Sequence, residues 1–367
     1  MSRWRRLTKA GGVAVGAAAA GAGAVIAAEK IAVGRIRLRP DPAAAEPLGQ
    51  LRGRPLTVLA DDGVPLNAEI SGPDDAPVTI VFCHGYTLTQ DTWHYQRQAL
   101  AGTARLVCWD QRGHGKSGWT DSRRLEHAGA ERVSVDQLGA DLGAVLAATV
   151  PGDGRAVLVG HSMGGMTIMA LAARRPELFG TKVIGNVLIS TAAAGIDPAG
   201  WLPPPLRRLA RQAAPAVLHG AAQGRPAELI ERGRAAAGDL AFLSTRYIAF
   251  GDSGVSPTLV DFLERTIRAT PVEVIAEFYL ALAEHDKRAA LAVLGQVPTV
   301  VLIGGKDRLI APRLAGELAA GIPGADLVLV PGAGHLLILE CPDLVNDAIA
   351  DLAARAGGPA GSEPRTA

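Results

Sequence analysis

From Leu56 onward the chain alternates between two periods, and this limits the fold more than any other feature. Short apolar runs such as Val78–His84, Ala104–Asp110, Arg155–Gly160, Lys182–Ser190, Pro298–Gly304 and Asp326–Gly332 are separated by stretches with apolar residues at helical spacing, such as Asp91–Leu100, Asp136–Thr149, Met163–Arg174, Pro312–Ala320 and Pro342–Ala354. Apolar runs without alternation suit strands buried on both faces, and helices between them suit parallel crossovers. The expected fold class is α/β: a mostly parallel central sheet with helices on both faces. Pro55–Ile70, with Asp62-Gly63 at its middle, reads as an antiparallel hairpin on one edge. Between Thr191 and about Leu282 the alternation lapses into helical patterns rich in Ala, Arg and Pro, as an inserted helical cap would. The core is therefore expected over 51–191 and 283–356, the cap over 192–282, and a disordered tail over 357–367.

The first fifty residues differ. Arg3, Arg5, Arg6 and Lys9 precede an uncharged Ala/Gly/Val stretch, residues 10–28, long enough to cross a bilayer as a helix. A membrane anchor is the first reading, and an export signal or a surface helix are the others. Arg39–Gln50 reads as a Pro/Ala-rich linker. Over the whole chain 37 basic residues nearly balance 36 acidic ones, which gives no footing for a nucleic acid partner. The three cysteines, Cys83, Cys108 and Cys341, form neither a disulfide framework nor a zinc motif. No protein partner can be inferred.

In an open α/β sheet, functional groups gather beyond the carboxyl ends of the strands. Ser162 follows one such run in Gly160-His161-Ser162-Met163-Gly164. Glycine two residues before and two after removes the crowding of a tight strand-to-helix turn, which leaves the hydroxyl exposed. A serine needs a base to become a nucleophile, and the base needs a carboxylate. Asp307 and His335 each lie just past a later strand, with Asp197 as the other acid.

The motifs "HGYTLTQDTW", "WDQRGHGKSG", "GHSMGG", "GGKDRLI" and "GAGH" together resemble the α/β-hydrolase superfamily of serine esterases and lipases with a helical cap, over about Leu56–Ala354. The resemblance implies a catalytic triad of Ser162, Asp307 and His335 and an oxyanion hole from the backbone N–H groups of Tyr86 and Met163. It implies a small-molecule ester or acyl substrate, no cofactor and no metal. Asp110, Arg112 and Ser117 are expected to fix the loop beside the site, and His84, His114 and His161 to set turns and packing. Trp93 is a candidate for the pocket wall or else fills the core, and His285 is a candidate for the pocket wall or else lies on the surface. Perhydrolase or haloperoxidase-like chemistry and C–C bond hydrolysis use the same set of residues, and a non-catalytic binder could use the same scaffold.

Overall fold

The computed structural model describes residues 29–120, 133–150, 152–197, 238–252 and 254–357. The uncharged segment 10–28, residues 198–237 of the expected cap and residues 358–367 of the C-terminal tail lie outside them. Among the described residues no helix is long and apolar enough to cross a membrane.

Eight strands form one sheet in the order β1-β2-β4-β3-β5-β6-β7-β8. The strands are β1 (Arg54–Leu59), β2 (Pro65–Ser71), β3 (Thr79–Cys83), β4 (Arg105–Trp109), β5 (Ala156–His161), β6 (Val183–Ile189), β7 (Thr299–Gly304) and β8 (Asp326–Val330). The β1–β2 hairpin is antiparallel, as is β2 against β4, and every other pairing is parallel. The expected turn is present: Gly63 has a φ of +83°, a left-handed conformation that glycine adopts without a Cβ clash. The central strands β3, β4, β5 and β7 are buried at every residue, which explains their unbroken apolar sequences. The edge strand β8 leaves Leu327 and Leu329 exposed.

Besides a helix over 29–37 and the single turns Leu291–Leu294 and Leu337–Glu340, the described α-helices are α1 (His94–Leu100), α2 (Val135–Thr149), α3 (Met163–Arg174), α4 (Gly238–Ala249), α5 (Pro257–Ala269), α6 (Val272–Ala283), α7 (Pro312–Gly321) and α8 (Pro342–Gly357). Two apolar layers flank the sheet. One packs α2, α3 and α7 on one face, and the other packs α1, α8, α4 and α5 on the opposite face. α2 begins at Ser134, whose hydroxyl accepts a hydrogen bond from the Gln137 N–H at 3.3 Å and so satisfies a donor that the helix start leaves over.

The stretch expected as a linker is packed in place. A helix over 29–37 buries Val33 and Ile36, and the following turns bury Ala43 and Leu48. The Asp41 carboxylate accepts hydrogen bonds from the Ser256 and Thr258 hydroxyls at the start of α5, and Arg37 pairs with Asp261 at 3.0 Å. Glu46 meets His94, and Arg52 meets Asp91. This segment therefore joins the sheet domain to the helices of the expected cap.

Candidate active site

Ser162 joins β5 to α3 with φ 53° and ψ −117°. A left-handed backbone at a residue with a Cβ is strained and persists only where its surroundings enforce it. The enforcing contacts are specific. The Ser162 N–H donates to the Ile189 carbonyl at 2.9 Å, and its carbonyl accepts from the Thr191 hydroxyl at 2.8 Å. A Cβ on Gly160 would lie 2.6 Å from the Gly164 backbone, and a Cβ on Gly164 would lie 1.9 Å from the Cys83 carbonyl oxygen. Both glycines are thus required by close backbone approach. A serine at a helix start usually caps it, but Ser162 makes no side-chain cap. Its hydroxyl is not spent on the helix. Met163, the first residue of α3, has no helical carbonyl for its N–H.

The loop after β3 faces this turn. Thr87 has a φ of 59°, and its N–H donates to Nε2 of His114 at 3.1 Å. That contact makes Nε2 an acceptor, so the proton sits on Nδ1, which donates to the Arg112 carbonyl at 2.9 Å. His84 repeats the pattern: Nε2 accepts from the Gln111 N–H at 2.9 Å, and Nδ1–H donates to the Gly85 carbonyl at 2.8 Å. Gln111 also donates its side-chain amide to the His84 carbonyl and accepts from the Thr167 hydroxyl at 2.6 Å. Burial holds His84 down at about 4 and His114 at about 3, so both rings are neutral struts. The buried Asp110 carboxylate accepts from the Gln90 and Lys116 N–H groups and from Asn67. Arg112 is clamped by Asp141, with two contacts of 2.6 Å, and by Asp62. The Ser117 hydroxyl donates to the Asp110 carbonyl.

The structure brings Asp307 and His335 together. His335 Nδ1 lies 2.8 Å from Asp307 Oδ2, and both side chains are buried. The other carboxylate oxygen, Oδ1, accepts from the Leu309 and Ile310 N–H groups, each at 2.8 Å. With Nδ1–H donating to Asp307, the lone pair of His335 is on Nε2. Asp197, the other acid considered, is exposed, and its charge acts on Tyr279. His161 donates from Nε2 to the His335 carbonyl at 3.0 Å, and the two ring centres are 4.8 Å apart. Burial keeps His161 neutral, its pKa well below the ordinary histidine value.

Ser162, His335, Tyr86 and Thr87 line one cavity of about 270 Å³. Its remaining walls are mostly apolar, among them Leu88, Met166, Ile196, Leu263, Ile267 and Leu282. α4 contributes Ser244, Thr245, Ile248 and Ala249, so the described helices of the expected cap roof the site. No lysine or arginine is among the described lining residues.

The two candidates for the wall are elsewhere. Trp93 is fully buried against Phe82, 4.9 Å between ring centres, and fills the core beneath α1. His285 is buried behind the cavity, where Nε2–H donates to the Ala192 carbonyl at 3.1 Å. Among the described residues no group of His, Cys, Asp or Glu could hold a metal ion.

Comparison with known proteins agrees with this architecture. The sequence model of the alpha/beta hydrolase family matches residues 80–348. The chain belongs to the alpha/beta hydrolase family. It is 27% identical over 294 residues to 3-oxoadipate enol-lactonase 2 of Acinetobacter baylyi, covering 80% of this chain and 94% of that one. It is 26% identical over 282 residues to the dihydrolipoyllysine-residue acetyltransferase component of the acetoin cleaving system of Pseudomonas putida, covering 76% of this chain but only 63% of that longer protein. A solved thermophilic esterase from Thermogutta terrifontis superposes with a TM-score of 0.63 at 23% identity, covering 83% of this chain and 99% of the esterase.

Three features of this alpha/beta hydrolase were missed at the level of sequence. Gln111 and Thr167 brace the His84 loop, Tyr86 donates its hydroxyl to the Ile275 carbonyl of α6, and Glu340 binds backbone next to His335. Only Glu340 had a local signal, an acidic residue closing the apolar "HLLILE" run.

Proposed function

We propose that this alpha/beta hydrolase cleaves a carboxylic ester with an apolar acyl group through an acyl-enzyme on Ser162. The observation that carries the reading is the 2.8 Å His335–Asp307 pair in the same cavity as a serine whose hydroxyl is not used as a helix cap. His335 Nε2 removes the hydroxyl proton as Ser162 Oγ attacks the carbonyl carbon. Asp307 holds the imidazole in the required tautomer and stabilises the imidazolium. The Met163 and Tyr86 N–H groups receive the negative charge that develops on the carbonyl oxygen, a contribution of about 3 kcal/mol for each such donor. The C–O bond then breaks, and His335 gives its proton to the departing alcohol. Water, deprotonated by His335, attacks the acyl carbon, and the acid leaves as the proton returns to Ser162.

The apolar lining supports a neutral acyl group. A substrate with a free carboxylate would bury that charge with no cation among the described lining residues. A series of p-nitrophenyl esters from acetate to decanoate tests the reading. Expected is a rise in kcat/KM with acyl length up to the size the cavity holds, and a loss of about a thousandfold in Ser162→Ala. Equal turnover of acetate and octanoate would contradict the apolar preference, and an active Ser162→Ala would contradict the mechanism.

We further propose that residues 10–28 hold the enzyme at a membrane. The support is the length of the segment and its lack of charge. Retention of the full chain in carbonate-washed membranes is expected, and its release would contradict the anchor.

A further inference from the structure

Glu340 ends the one-turn helix Leu337–Glu340 that follows His335. Its two carboxylate oxygens serve different parts of the fold. Oε1 accepts from the Gly334 N–H at 2.7 Å, one residue before His335. Oε2 accepts from the Gly251 N–H at 2.8 Å and the Asp252 N–H at 3.2 Å, just past the end of α4. The backbones that it joins are in direct contact. A Cβ on Gly334 would lie 2.4 Å from the Gly251 nitrogen, and one on Gly251 would lie 2.4 Å from the Ala333 carbonyl carbon.

The rest of the His335 backbone is held by the same two parts of the protein. The His335 and Leu336 N–H groups both donate to the carbonyl of Ala249, the last residue of α4, at 2.9 and 3.1 Å. On the neighbouring triad loop Arg308 donates to the Tyr247 and Phe250 carbonyls, at 2.6 and 3.0 Å. The end of α4 is therefore tied to the loops of both His335 and Asp307. The same helix presents Ser244, Thr245 and Ile248 to the cavity.

We propose that Glu340 is a positioning residue: its carboxylate fixes the end of the roof helix to the backbone of His335 and so sets the aim of the imidazole at Ser162. This rests on the function proposed above. A carboxylate can satisfy all three N–H groups because both of its oxygens accept. Glutamine cannot, since its NH₂ must face either Gly334 or the Gly251–Asp252 pair. Aspartate keeps the charge but is one methylene too short to reach both sides. Misplacing a catalytic group by about 1 Å can cost about a hundredfold in rate.

The test uses full-length wild type, Glu340→Gln and Glu340→Asp, with active sites titrated by a fluorophosphonate and kcat expressed per titrated site. That normalisation removes misfolded enzyme, so a purely structural role leaves the value unchanged. The proposal is supported if per-site kcat falls by about fivefold or more in either variant that yields titratable enzyme. A smaller fall overturns it, even if KM or the melting temperature moves. If neither variant yields titratable sites, Glu340 belongs to folding, and the proposal is likewise overturned. A wild type that neither labels at Ser162 nor hydrolyses an ester would defeat the underlying function, whereas a labelled wild type with unaffected variants defeats this proposal alone.

Discussion

Acidification to about pH 5 should strongly destabilise this protein, because several of its histidines are buried in neutral form. Burial lowers His84 and His285 from 6.5 to about 4, and His114 to about 3. The unfolded chain therefore binds more protons than the folded one between about pH 4 and pH 6.5, so stability is present above the unfolded pKa and falls with falling pH. For a single such histidine the loss between pH 7.5 and pH 5 is about 2 kcal/mol. Three of them give about 6 kcal/mol, comparable with the whole stability of a typical domain. His161 adds to this in the same direction. Asp141, held up at about 6 by burial, works the other way. It returns about 1 kcal/mol over that window. The geometry makes the charged form costly beyond desolvation, since a proton on Nε2 of His84 or His114 would oppose the N–H of Gln111 or Thr87. Urea unfolding followed by circular dichroism at pH 7.5, 6 and 5 measures the effect. His285→Gln keeps a donor for the Ala192 carbonyl and should reduce the pH-dependent loss by about 2 kcal/mol. A stability constant to within about 1 kcal/mol across this range would refute the reasoning.

Other perturbations follow from the same contacts. Gly164→Ala places a Cβ 1.9 Å from the Cys83 carbonyl oxygen and should abolish the turn at Ser162, seen as loss of soluble folded protein or of fluorophosphonate labelling. Asp307→Asn should leave the melting temperature nearly unchanged and lower kcat by about ten-thousandfold, as expected when the histidine takes the wrong tautomer. Arg112→Met leaves the buried Asp141 without its partner and should cost about 3–5 kcal/mol in urea unfolding, and adding Asp141→Leu should recover most of it.

Sequence pattern located the sheet and its helices because each central strand is buried along its whole length and so is written as an apolar run. It pointed to Ser162, Asp307 and His335 because each follows a strand and parallel strands deliver their ends to one edge; the structure pairs Asp307 with His335 and sets Ser162 and His335 on one cavity. Chain distance says nothing about which way a side chain turns, so the sequence left Trp93 open between wall and core and did not place His285. Trp93 is near the loop after β3 in sequence, yet it points into the core against Phe82. His285 follows α6 but turns to the Ala192 carbonyl behind the cavity. The Arg39–Gln50 stretch carries no periodicity, so its packing through Ala43, Leu48 and Asp41 became visible only in three dimensions.

The central claim is that Ser162 is a nucleophile driven by His335. Intact-mass analysis and peptide mapping after exposure to a fluorophosphonate test this most directly, on the wild type, Ser162→Ala and His335→Ala. A single adduct on Ser162 in the wild type, none in Ser162→Ala and labelling slowed by at least about a thousandfold in His335→Ala are the expected results. Labelling at another residue, or at an undiminished rate without His335, would contradict it.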